Sequence, residues 1–321
     1  MLCEPRQIAA PARKKSLKQN TPSRPLVGLL YNPAVPHVLD QSADLIEYIE
    51  VIPERLWYDF GAECGEQRRF HRVLAAVETL KRYGEGRVVA GHGIGLSLPS
   101  AMPLDQPLLD QISWLSADLG FAWYSEHLSM FLTPHGSVPN AQAGLGLPVV
   151  YDEETFQILR DKLDQLREAV ACPLMMENGS IFTPIPDMEM SEPEFFNRLY
   201  DELGCGMLLD LHNLYVTWRN GGPTPAEYLS KLNPEAEHEI HLAGGDELAG
   251  FYTDSHSRLT PPEVFGWACE FVPRLKNVRA ITFEFHESYF GRLGAEGIAG
   301  ELRRLHELAD RVSEASGVVH A

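Results

Sequence analysis

Three features of the sequence predict an α/β fold, a single (β/α)8 TIM-type barrel: eight short apolar runs of β type, longer amphipathic stretches between them, and acids and histidines gathered where the runs end. The runs are LVGLLY (26–31), LIEYIEVI (45–52), RVVAGHG (87–93), FAWYSEH (121–127), LMMENG (174–179), GMLLDLHN (206–213), EHEIHLAG (237–244) and VRAITFEFH (278–286). Strands buried on both faces read as near-continuous apolar runs of this kind, and eight of them in parallel close a barrel.

Each interval carries a helix candidate. In 65–84 the residues Phe70, Val73, Leu74, Val77 and Leu80 fall on one helical face, so a single helix is expected there. Comparable patterns occupy 108–120, 152–170, 192–204 and 261–275, and several of them start after Pro or stop at Gly. Gly/Pro-rich stretches at 129–150, 180–190 and 245–260 follow the fourth, fifth and seventh runs, where a barrel carries its active-site loops.

Composition narrows the function classes. The chain has 321 residues, 44% hydrophobic and 22% charged, with no apolar run long enough to span a bilayer and no apolar secretory leader, so a cytoplasmic, membrane-free protein is expected. Residues 1–24 hold six Arg or Lys against Glu4 and read as a disordered basic tail ahead of a barrel domain at 25–315. The net charge is −18, and removing the tail leaves the body more acidic still, which excludes nucleic acid as a partner. Five scattered cysteines without a C-x-x-C pair speak against a disulfide framework and a thiolate zinc site.

The chemistry sits at the run ends. In order the chain presents Glu50 and Glu54, His92, Glu126 with His127, Glu177 with Asn178, Asp210 with His212, His241, and Glu284 with His286, while the loop after the seventh run adds Asp254 and His256. Singly, a strand-end histidine is as a rule a hydrogen-bonded structural group. Together, at one barrel mouth, buried acids would repel one another unless a cation is shared among them. Imidazole and carboxylate donors without thiolate suit iron, manganese or zinc, and the supply exceeds what one ion can use. A metal-dependent sugar isomerase or phosphoester hydrolase, and a non-catalytic metal-binding barrel, draw on the same residues.

The motifs GHGIGLSL (91–98), SEHL (125–128), MENGS (176–180), LLDLHNLYV (208–216), EIHLAGG (239–245) and D-S-H (254–256) resemble, in order and spacing, the multinuclear non-heme iron-dependent oxidase family of the methanobactin-biosynthesis type. The resemblance implies two or three iron ions that use dioxygen to oxidise a residue, cysteine or similar, of a ribosomally made precursor peptide, which a small partner protein presents. Carried over by position, it implies the metal-site residues His92, Glu126, Glu177, Asn178, Asp210, His241, Asp254, His256 and Glu284. His127, His212 and His286 are the candidates for moving protons. The chain departs from the family pattern at Gly245, where a second histidine is usual, at His212, where asparagine is usual, and at 283–286, where Phe-Glu-Phe-His replaces a Glu-Trp-Asp ending.

Overall fold

The computed structural model describes residues 24–133, 141–182, 185, 186, 188–315 and 317. The expected basic tail therefore lies outside the described residues except for Arg24, which is bonded to Glu47 and Asp310. Among the described residues, eight parallel strands close a barrel: β1 (Leu26–Leu30), β2 (Tyr48–Val51), β3 (Val88–Gly93), β4 (Tyr124–His127), β5 (Leu174–Glu177), β6 (Gly206–Asp210), β7 (Glu237–Leu242) and β8 (Asn277–Phe283). Each falls within one of the eight apolar runs, except that β8 begins one residue ahead of its run. Neighbours in sequence are neighbours in the sheet, and β1 pairs with β8 to complete the ring.

Outside the ring run α1 (Val35–Ser42), α2 (Leu74–Gly84), α3 (Gln106–Leu119), α4 (Glu153–Val170), α5 (Glu192–Leu203), α6 (Leu211–Arg219), the short α7 (Pro225–Leu229), α8 (Pro262–Phe271) and α9 (Phe290–Ala315). Local chemistry sets their ends. Asp105, Asp152 and Asp210 cap α3, α4 and α6 by accepting the backbone N–H three residues on, and Gly120 and Gly204 end α3 and α5 in the left-handed conformation that a side chain disfavours.

The single helix expected across 65–84 is not formed. Glu66–Arg69 makes one turn, Phe70–Arg72 pairs antiparallel with Trp57–Asp59, and only then does α2 begin. The Phe70 ring packs edge-on against Trp57 at 6.2 Å, and Arg69 is ion-paired to Asp59 and Asp105, so hairpin contacts override the helical periodicity; Leu74, expected on the buried face, is 59% exposed. The stretch after β4 likewise holds a hairpin, Met130–Thr133 with Ala141–Leu147, and the one after β7 a smaller hairpin, Glu247–Leu248 with Phe251–Tyr252.

Side chains alternate across each strand. One set, including Ile49, Val51, Tyr124, Met176, Leu209, Ile240, Ile281 and Phe283, packs in the large core that the helices cover. The other points into the barrel, where Tyr48, Ala90, Trp123, Met175, Leu208 and Ala280 fill a separate apolar layer. Two residues further along the same six strands stand Glu50, His92, Ser125, Glu177, Asp210 and Thr282, all essentially inaccessible to solvent. The period of two thus lifts a polar layer directly above the apolar floor, at the C-terminal end of the strands. No helix among the described residues is long and apolar enough to cross a membrane.

Candidate metal centre

The polar layer and the loops above it assemble six carboxylates (Glu50, Glu177, Asp210, Glu239, Asp254, Glu284) and five imidazoles (His92, His127, His212, His241, His256). At the β3–β5 side, Glu177 Oε2 lies 2.6 Å from His127 Nδ1 and 3.4 Å from His92 Nε2. At the centre, His241 presents Nε2 to Glu50 Oε2 at 2.9 Å and Nδ1 to Glu284 Oε1 at 3.2 Å. At the rim, a single oxygen, Asp254 Oδ1, faces His212 Nδ1 at 2.8 Å and His256 Nε2 at 2.9 Å. Four sets have one donor atom from each member within 4.8 Å of the others: His92–His127–Glu177, Glu177–Asp210–His241, Glu50–Glu239–His241 and His212–Asp254–His256.

Several of these atoms have no hydrogen-bond partner among the described residues despite full burial: both Glu50 oxygens, Glu177 Oε2, Asp210 Oδ2, both His241 nitrogens and His256 Nε2. Their neighbours are close, but the angles are not those of hydrogen bonds. Donor atoms converging on common points in this way fit metal ions, since buried polar atoms otherwise find partners. The tautomer of His92 fits as well: Ser125 Oγ donates to the Gly91 carbonyl and so accepts from His92 Nδ1, which leaves the Nε2 lone pair facing the cluster. Burial, and then the nearby His127 and His241, hold His92 well below the ordinary imidazole range.

The acids show the corresponding electrostatic conflict. Burial first, and then the charges of Asp254, Glu177 and Glu284, push Asp210 well above the usual carboxylate range; burial likewise raises Glu50 and Glu239. His127 and His256 are lowered by burial but raised further by Glu177 and Asp254 respectively, to about 9 and about 10. Cations shared by these acids would relieve the repulsion that otherwise requires protons.

Other side chains hold this set in place. Asn213 Nδ2 donates to Glu177 Oε1 at 3.2 Å, and Asp210 divides its carboxylate, with Oδ1 capping α6 through the Asn213 N–H at 2.8 Å and Oδ2 free to face the cluster. Beneath, Glu239 accepts from Trp123 Nε1 at 2.7 Å and from the Tyr48 hydroxyl at 3.2 Å.

Three residues of the expected set are not brought into these groups. Glu126 stands between Ser125 and His127 on β4 and therefore takes the opposite face; its oxygens accept from the Tyr124 hydroxyl at 2.9 Å and from the Leu96 N–H at 3.3 Å. Burial and the adjacent Glu54 raise Glu126 to about 8. Asn178, one step past Glu177, spends both ends of its amide on the backbone of Asp210, accepting its N–H at 2.8 Å and donating to its carbonyl at 3.0 Å. His286 lies beyond the end of β8 with its side chain 44% exposed, and its Nδ1 accepts the Ser288 N–H.

The remaining expected residues, His92, Glu177, Asp210, His241, Asp254, His256, Glu284, His127 and His212, do converge. Glu50 and Glu239 join them from outside the ligand set expected from the sequence. The signal for Glu239 is its spacing: in EHEIHL it precedes His241 by two and so shares its face.

Solved structures resemble the chain in fold. A xylose isomerase domain containing protein from Salmonella typhimurium superimposes with a TM-score of 0.57 at 12% identity, covering 91% of this chain and 99% of that one. The IOLI protein with a binding zinc atom gives 0.52 at 14% identity, covering 90% and 98%. In sequence, a UPF0276 protein of Chromobacterium violaceum is 32% identical over 229 residues, 71% of this chain and 79% of the relative. One from Anaeromyxobacter sp. is 30% identical over 252 residues, 78% and 83%. Residues 27–296, which take in the barrel from the second residue of β1 onward and every group of the candidate centre, match one family throughout, and the chain belongs to it: the RiPP precursor modification enzymes MbnB/TglH/ChrH.

Proposed function

We propose that this protein is a multinuclear non-heme iron-dependent oxidase that uses dioxygen to modify a residue, cysteine or a similar side chain, of a ribosomally made precursor peptide, with a small partner protein presenting the peptide. The observation that carries this reading is the run of buried, unpartnered donor atoms on Glu177, Asp210, His241 and His256 inside a chain of this family. The donors are imidazole nitrogens and carboxylate oxygens, a set that suits iron with positions left open. Bound iron would supply the electrons that dioxygen needs to attack an unactivated side chain.

The chain's own residues then have definable tasks. Glu177 belongs to two of the ligand groups and would help to hold an ion in each. His92, Asp210, His241, Asp254, His256 and Glu284 complete the ligand set, with Ser125 and Asn213 orienting His92 and Glu177. His127, partly open at the rim and with Nδ1 2.6 Å from Glu177 Oε2, is placed to pass a proton between the cluster and the peptide. The floor of Tyr48, Trp123, Met175 and Leu208 closes the barrel below, so water and peptide approach from the mouth alone.

The test is anaerobic purification with metal analysis, followed by oxygen-uptake assays with short peptides encoded beside the gene. Two or three iron ions per chain, and peptide-dependent oxygen consumption with a mass change on the peptide, are expected. A protein that holds zinc or manganese, consumes no oxygen with any such peptide and isomerises a sugar or cleaves a phosphoester would overturn the reading.

A further inference from the structure

We propose that Tyr48 and Trp123, stacked in the barrel floor beneath the metal centre, form a one-electron donor that reduces the centre when dioxygen has oxidised it with no peptide in the mouth, Tyr48 passing its proton to Glu239. The inference rests on the iron-oxidase reading above and gives the floor a chemical task of its own.

The period of two along three strands builds the arrangement. Tyr48 precedes Glu50 by two on β2, Trp123 precedes Ser125 by two at the entry to β4, and Glu239 precedes His241 by two on β7, so all three point into the barrel below the residues that follow them. The two rings lie 5.5 Å apart between centroids and are 0% and 3% exposed. Both donate to one carboxylate, Trp123 Nε1 to Glu239 Oε2 at 2.7 Å and the Tyr48 hydroxyl to Glu239 Oε1 at 3.2 Å, and the same hydroxyl is bonded to Thr282 Oγ1. Glu239 Oε1 in turn stands 4.0 Å from His241 Nε2. Neighbouring Glu50 has both oxygens without a hydrogen-bond partner among the described residues, whereas both Glu239 oxygens are engaged from the floor, so Glu239 ties the aromatic pair to the centre.

Phenol and indole are, with thiols, the side chains that give up an electron most readily. The apolar layer inside the barrel consists of Tyr48, Ala90, Trp123, Met175, Leu208 and Ala280 and holds no cysteine, so this pair is its readiest electron source. A phenol is oxidised more easily when a base takes its proton, and Glu239 is that base. The step balances: the Tyr48 O–H bond breaks, one electron passes to the oxidised iron and reduces it by one unit, and the proton goes to Glu239, leaving a neutral phenoxyl radical that shares its oxidising equivalent with the Trp123 indole. One electron from a thiol or ascorbate reductant, with the proton returned by Glu239, restores the phenol. Without this donor an oxidised centre lacking peptide would attack its own imidazoles; the pair draws the equivalent down into a fully buried layer instead. Tyr252 at the rim also stands near an imidazole, but its hydroxyl oxygen accepts the Gly245 N–H and faces His212 Nε2 at 3.5 Å, with no carboxylate bonded to it among the described residues.

The experiment loads the full chain anaerobically with Fe(II), mixes it with oxygenated buffer in the absence of peptide and freezes samples at intervals for electron paramagnetic resonance, the radical being counted per bound iron. Wild type should form an organic radical whose hyperfine pattern changes when the chain carries ring-deuterated tyrosine. Tyr48→Phe should lose that tyrosyl signal, retaining at most a tryptophan radical, and the double variant Tyr48→Phe/Trp123→Phe should form no radical; mass mapping of the double variant should then find oxygen added to His92 and His241, which wild type spares. Tyr252→Phe should keep the wild-type signal. Iron that is oxidised by dioxygen with no protein radical in wild type, a tyrosyl signal that survives in Tyr48→Phe, or one that is lost in Tyr252→Phe instead would overturn the inference while leaving the metal-centre reading intact. A wild-type chain that binds no iron, or whose bound iron does not react with dioxygen, would overturn the oxidase reading as well. Ring-deuterated tyrosine and tryptophan in the wild-type chain keep the test decisive if a variant does not fold: a radical insensitive to both labels also overturns the inference.

Discussion

Replacing Asn178 by alanine separates a brace from a ligand. Its amide makes two fully buried hydrogen bonds to the backbone of Asp210, at 2.8 Å to the N–H and 3.0 Å to the carbonyl. Each buried polar group deprived of its partner costs about 1–3 kcal/mol, so Asn178→Ala should destabilise the metal-free chain by about 3 kcal/mol. For a chain of this length that lowers the thermal midpoint by roughly 4 °C. Calorimetry or fluorescence-detected melting after chelation measures the loss, and metal analysis of the reloaded variant measures what becomes of the centre. Because Asp210 shifts rather than disappears, the number of ions per chain should be kept while their affinity falls. A variant that melts within about 1 °C of wild type yet lacks one metal equivalent would show that Asn178 acts as a ligand, and the bracing argument would fail.

Metal loading should itself stabilise the fold, because the converging acids repel one another when the ions are withdrawn: at a free metal concentration of 100 times Kd the gain is about 2.7 kcal/mol, and melting curves with and without chelator that superimpose would refute it. Gly91→Ala should cost about 1–3 kcal/mol, since its Cβ would stand 2.5 Å from Phe121 Cε2 and 2.8 Å from Tyr124 Cδ2; urea unfolding reads the loss, and wild-type stability would contradict the packing of β3 against those rings. Lys162 is buried on α4, where its ammonium donates to the Ser100 carbonyl and burial lowers it from 10.5 to about 8. The folded chain then binds fewer protons than the unfolded chain between these values, so stability rises with pH across that window and is flat in this term below it. Subtracting the pH profile of Lys162→Met from that of wild type should isolate this rise, and a difference independent of pH would count against it.

The strands were legible because a β/α barrel writes its inner and outer faces into short apolar runs, and a run such as LMMENG has no alternative to burial. Which polar residue at a strand end enters the barrel was half legible. His127 and Glu126 are adjacent, yet the alternation of the strand gives the imidazole to the mouth and the carboxylate to Tyr124 and Leu96. Glu239, two residues before His241, was open to the same rule. The hairpin at 57–72 was not legible, since Phe70 meets the helical period of 65–84 equally well and only Trp57, brought alongside by the turn after β2, draws it into a strand.

Family, barrel and most of the candidate ligands follow from local pattern and ordered motifs, which are properties of short stretches of chain. The grouping of those ligands does not. That His212 faces Asp254 across 42 residues, that Asn178 braces Asp210, and that Gly245 opens a place for a ring from α6 all depend on how the closed sheet sets one loop against another. Sequence spacing specifies which face of an element a side chain takes, whereas distances between elements arise only when packing and ring closure have fixed every strand relative to the rest.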